Sequence, residues 1–246
     1  MPHRSILPAV WDIPQVFRDR LGARPGRQRA MVHDGHVLLV LHRPPKADEE
    51  DRAGRYFWRK PDGTWMSSES GGGLPSLEAH LKEYADLVEQ CDQKEERATT
   101  AHDYFDVIQS VTPLHRAARN MHNALQDARK AVPADRDLID LRDRAYDVER
   151  NADLLYTDTR NGLDYALARR AEEQAAASHQ MAVASHRLNV LAAFFFPIAT
   201  LSAVFGVNLQ HGWENTPGPG PFLTMLAAGL ACGYVLKRFI ARNGRA

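Results

Sequence analysis

The chain has very little cysteine, only Cys91 and Cys232. Two thiols cannot build the disulfide framework of a small secreted domain, and they fit a reducing compartment. Net charge is missing too: 31 Lys and Arg balance 31 Asp and Glu. No overall field draws such a chain to nucleic acid, which is therefore not expected as a partner. The opening "MPHRSILPAVWDIPQ" has too short an apolar core for a signal peptide, so the bulk of the chain is expected to stay in the cytoplasm. No nucleophile–base pair, phosphate-cradling glycine loop or Cys-x-x-Cys stands out. An enzyme is not expected.

What is present is segregated. Charges crowd the region before Arg187, while the remainder is mostly apolar. Met1 to Gly26 reads as an irregular lead-in with a short amphipathic turn, "PQVFRDRLG". In "RAMVHDGHVLLVLHRPP" the dipeptide Asp34-Gly35 between apolar runs predicts a hairpin, because both residues tolerate the positive φ of a tight turn. A second hairpin is predicted in "GRYFWRKPDGTWMSS", bending at Pro61-Asp62-Gly63. "SESGGGLPS" then reads as a flexible joint. His33, His36 and His42 near the first hairpin, and His115 and His122 seven residues apart, read as surface residues; two histidines do not make a metal site.

From Ser76 the pattern is helical. Ser76 is the expected N-cap of a helix carrying Leu77, Leu81, Tyr84, Leu87, Val88 and Cys91 on one face, running to about Val111. Thr112-Pro113 is expected to end it and start the next, with Leu114, Ala118, Met121, Leu125 and Ala128, halting near Pro133. A third helix begins near Asp135 and meets no breaker before Pro197. Its Leu138, Leu141, Ala145, Val148, Ala152 and Leu155 repeat at 3-4 spacing. At ~1.5 Å per residue it is roughly 90 Å long, a stalk rather than the core of a compact domain.

Leu188 to Leu209 carries no formal charge and would span about 33 Å as a helix, enough for a hydrocarbon core of ~30 Å. A buried core helix is the competing reading. A second run, Pro221 to Leu236, stops at Lys237-Arg238, and its Ala227, Ala228, Gly229, Ala231 and Gly233 would let it pack closely on another helix. The loop between them has no Lys or Arg, whereas Arg187, Lys237, Arg238, Arg242 and Arg245 flank the two runs. Positive charges stay inside, so both termini face the cytoplasm. The expected architecture is α+β: residues 1–75 a small antiparallel β region, 76–186 a helical cytoplasmic domain and stalk, 187–209 the first transmembrane helix. An outer, periplasmic loop at 210–220, a second transmembrane helix at 221–237 and a basic tail at 238–246 complete it.

A soluble N-terminal domain, a very long helix entering the membrane, a proline followed after eight residues by Gly-Met-Asn, a short outer loop and a second helix with a basic tail describe the CorA-type magnesium channel family. This chain resembles it through Pro197, Gly206-Val207-Asn208 at the same spacing, and Phe205 where the family usually has tyrosine. The resemblance is specific from about Asp135 onward and loose before Pro75. It implies a homopentamer in the lipid bilayer of the bacterial inner membrane, with the first membrane helix lining the pore and the motif at its outer mouth. Val207 replaces the methionine, as in the zinc-transporting branch, so Zn2+, Co2+ and Ni2+ stand beside Mg2+ as candidate ions. The family's threonine two residues after the proline is Ala199 here, with Thr200 one place on, which implies a more apolar pore.

Magnesium sheds its waters reluctantly and prefers oxygen neighbours. A ring of Asn208 amide oxygens and Gly206 carbonyls would accept hydrogen bonds from the hydration shell and, being neutral, let the ion leave again. Gly-Val-Asn also reads as an ordinary helix C-cap. Counting back from Asn208 at ~100° per residue places Leu201, Pro197, Val190, His186, His179 and Glu172 near one line of the helix, as candidate pore-facing residues. Solvated polar side chains on an exposed helix are the plainer reading of the last three. Glu214, the one acid of the outer loop, either concentrates cations at the entrance or is merely solvated. In the family, gating metal sits at carboxylates between subunits, and Asp135, Asp137, Asp140, Asp143, Asp147 and Glu149 are numerous enough to supply such a site. A reading of another class stays open: a CorA-like membrane effector or scaffold whose soluble domain senses a ligand and whose ion flux is secondary or absent.

Overall fold

The computed structural model describes residues 6–45, 53–69, 72–206 and 218–243. The chain forms two compact units, Met1–Ala168 and Arg169–Ala246. The first is α+β, as expected. Its four-stranded antiparallel sheet runs in chain order β1 (Arg29–His33), β2 (His36–His42), β3 (Gly54–Arg59) and β4 (Trp65–Ser67). Asp34 (φ 46°) and Gly35 (φ 75°) make the first turn and set His33 opposite His36. The second bend closes with Lys60 N donating to Thr64 O at 2.8 Å and Asp62 Oδ1 accepting from Thr64 N at 2.8 Å.

Strand β2 has no polar face because the sheet is covered on both sides. Val37, Leu39, Leu41 and Phe57 join the helical core. Leu38, Val40, Tyr56 and Trp58 face the lead-in, whose Leu7, Trp11, Ile13 and Phe17 bury around the short helix α1 (Gln15–Asp19). The segment that reads as an irregular lead-in is therefore the lid of a second core.

Helices α2 (Gly73–Glu95), α3 (Ala101–Ala131) and the first part of α4 (Arg136–Gly206) bury the periodic residues named above, Leu141, Ala145 and Ala152 among them. Three boundaries differ from expectation. Helix α2 starts at Gly73, not Ser76; its cap residue Gly72 offers no side chain, and Ser76 Oγ instead lies 3.0 Å from Ser67 Oγ. A Cβ on Gly73 would come within 2.1 Å of the Trp65 backbone, so the end of "SGGGLP" is packed helix rather than loose joint. Helix α2 also stops at Glu95. A capping box then opens α3: Thr100 Oγ1 accepts from Asp103 N at 3.2 Å and Asp103 Oδ2 accepts from Thr100 N at 2.8 Å. Finally, Pro113 lies inside α3 and breaks nothing. The carbonyl it leaves without a donor belongs to exposed Gln109, and buried Val111, Leu114, Ala117 and Ala118 hold the helix across it.

Helix α4 begins beside Asp135, where the third helix is expected to start, and Asp135 caps it, its Oδ1 accepting from Leu138 N at 3.0 Å. Its other oxygen takes the Arg59 guanidinium of β3 at 2.5 Å, both groups nearly buried. His115 and His122 are not free surface residues. His115 Nε2 lies 3.2 Å from Asp153 Oδ1, and His122 Nδ1 pairs with Glu149 Oε2 at 2.5 Å, each bridging α3 to α4. Their sequence spacing places them on one face of α3, and that face meets the carboxylate side of α4.

Candidate membrane helices and pore-facing residues

Helix α4 continues without interruption to Gly206, through Pro197. Proline frees the Ala193 carbonyl, and one turn later Thr200 Oγ1 donates to Phe196 O at 2.8 Å. Helix α5 (Gly220–Asn243) follows. Both helices are long and apolar enough to cross a membrane. The competing core-helix reading fails on exposure: Leu188 is 65% exposed, Phe196 72% and Val235 65%. Large side chains this open belong in an apolar surround, not in the interior of a soluble fold.

The two helices meet at glycine. A Cβ on Gly233 would stand 2.7 Å from Phe194 O, and one on Gly229 would stand 3.1 Å from Ile198 Cγ1. These positions lie four apart, so one face of α5 presents two backbone-wide gaps to α4. Of the small residues singled out in the sequence, Gly229 and Gly233 thus have defined partners in Ile198 and Phe194, while Ala227, Ala228 and Ala231 are exposed.

Among the candidate pore-facing residues, Pro197 and Leu201 are half-buried in a shallow apolar groove with Cys232 and Leu236 of α5. Val190 is half-buried; His186, His179 and Glu172 are exposed. Gly206, the first residue of the motif, still belongs to α4. Val207, Asn208 and Glu214 lie outside the described residues.

Three of the six acids at the start of α4 are engaged in other work. Asp135 is held by Arg59, Glu149 by His122, and Asp143 lies 3.0 Å from Arg142. Among the described residues, no three His, Cys, Asp or Glu side chains gather into a metal-sized group within one chain. The first unit instead buries a polar cluster that sequence reasoning missed. Arg55 of β3 donates from Nη1 to His80 Nδ1 at 2.9 Å and to Glu83 Oε2 at 2.7 Å, and its Nε lies 3.0 Å from Glu69. Arg55 and His80 are 25 residues apart and look unremarkable in their own segments. Burial first, then the Arg55 guanidinium and His42, pushes the His80 pKa down to about 3.

No family model matches the chain, and no curated protein matches it either. Solved structures do. Full-length CmaX aligns over 95% of this chain and 82% of its own at a TM-score of 0.56 and 12% identity. The ZntB cytoplasmic domain from Vibrio parahaemolyticus aligns over 65% and 80%, with TM-score 0.49 and 11% identity. The CorA magnesium transporter from Methanocaldococcus jannaschii aligns over 90% and 80%, with TM-score 0.36 and 11% identity. At this identity the likeness to CmaX is one of fold, and it extends over nearly the whole chain.

Proposed function

We propose that the protein is a CorA-like divalent-cation channel of the bacterial inner membrane. Copies of α4 surround an aqueous path in a homopentamer, both termini face the cytoplasm, and Gly206-Val207-Asn208 sits at the outer mouth. One observation carries this reading: two exposed apolar helices close on each other through Gly229 and Gly233, and the first reaches Gly206, the first residue of the Gly-Val-Asn motif. Neutral Asn208 amides suit an ion that keeps its water, such as Mg2+, because they accept from the hydration shell without holding the metal. Glu214 would stand outside this ring and gather cations.

A density map of the full chain in lipid nanodiscs tests the assembly. The expected map has a fivefold axis lined by α4 with Asn208 at a central constriction. A map in which α4 copies enclose no axial path overturns the proposal and favours the effector reading.

A further inference from the structure

We infer that His179 and His186 form two imidazole levels, each completed by neighbouring copies of α4, that bind a borderline transition divalent cation such as Zn2+, Ni2+ or Co2+. The inference rests on the proposed side-by-side assembly of α4 and gives its cytoplasmic approach a ligand preference distinct from that of Asn208.

Every described histidine but these two has a partner within the chain. His33 pairs with Asp34, His36 accepts from Trp58, and His42 bonds the Gly26 carbonyl. His80 meets Arg55, His102 meets Asp106, and His115 and His122 meet Asp153 and Glu149. His179 and His186 have no hydrogen bond, ion pair or ring contact among the described residues, and they stand in a stretch, 169–189, that is exposed throughout.

Their spacing is the second observation. Glu172, His179 and His186 fall seven apart on an unbroken helix. Seven residues make two turns less about 20°, so the three share one face at levels roughly 10.5 Å apart. That separation is several times a zinc–nitrogen bond of about 2.0–2.1 Å, so one chain cannot grip an ion with two of them. A site needs the same residue from a second copy. The surrounding side chains are mostly small (Ala175, Ala176, Ser178, Ala182, Ser185), which lets neighbouring helices approach closely.

The donor type sets the class of ion. Imidazole suits zinc, nickel and cobalt, whereas magnesium takes oxygen and keeps its water. Glu172, one level further in, adds negative charge that draws any divalent cation without selecting among them.

The test uses the full chain in detergent, with light scattering to report assembly and calorimetric titration with Zn2+ alone. The assembled wild type should bind Zn2+ saturably, and His179→Gln/His186→Gln should weaken that binding by about tenfold or more. His102→Gln, at an exposed histidine of the first unit, should leave it unchanged, as should excess Mg2+. An assembled double variant that binds like wild type overturns the inference, as does an assembled wild type without saturable binding. If the variant does not assemble, diethyl pyrocarbonate labelling of the wild type decides: Zn2+ should protect His179 and His186 but not exposed His102, and equal labelling overturns the inference. Failure of the channel reading has a separate signature: Zn2+ binding intact, with no Asn208-dependent flux.

Discussion

His80 shows how one buried side chain ties stability to acidity. Its ring is enclosed by Phe57 and Tyr84 and its Nδ1 is occupied by Arg55, so the native site refuses a second proton until about pH 3. In the unfolded chain the same ring takes that proton near pH 6.5. The stabilisation is therefore complete above about pH 6.5 and drains away as pH falls toward the native value. Between pH 7 and 4 the wild type should lose a few kcal/mol through this residue. His80→Gln, which keeps an acceptor for Arg55, should show a flatter loss, measured by urea unfolding at each pH. A parallel decline in both proteins contradicts the assignment. Glu95 works in the opposite sense: burial, then Asp158, Asp92 and Glu96, raises its pKa. Ionised Glu95 is thus a net cost to the fold, absent below its unfolded pKa and growing as pH rises. Glu95→Gln should raise the thermal midpoint at pH 7 and leave it unchanged near pH 4.

At the scale of elements, the glycines are the sharpest test. Gly233→Leu must push a side chain into the Phe194 carbonyl, and overpacking of this kind costs about 1–3 kcal/mol. The detergent-solubilised variant should melt earlier than the wild type, while Ala231→Leu, two residues away on another face, should not. Equal melting of Gly233→Leu and wild type would show that α4 and α5 do not meet there. Much of this level was legible in the sequence. The Asp34-Gly35 turn, the start of α4 beside Asp135 and the 3-4 spacing of Leu138 to Leu155 each act through neighbours in the chain, and each falls where the sequence places it. The misplaced boundaries have long-range causes. Gly73 is helical because β4 passes against it, and Pro113 is tolerated because buried neighbours outweigh one lost hydrogen bond. The capping box at Thr100-Asp103 is masked in the sequence by an apolar rhythm that runs on to Val111. The pairs Arg59–Asp135 and Arg55–His80 carry no local signal; only the fold brings them together.

For the whole molecule, the decisive feature is where apolar surface is left uncovered. The first unit hides both faces of its sheet, one under helices and one under its own N-terminal segment. The second leaves Leu188, Phe196, Val204 and Tyr234 open. A chain built this way should sediment with membranes and resist extraction by carbonate; recovery in the soluble fraction without detergent contradicts the membrane reading. Flux through reconstituted liposomes loaded with a magnesium-sensitive dye tests the central claim most directly. Wild-type protein should carry Mg2+ inward down its gradient, and Asn208→Ala, equally well assembled, should abolish that signal. A wild type that passes no divalent cation under any metal condition, or an Asn208→Ala variant that conducts as well as wild type, contradicts it.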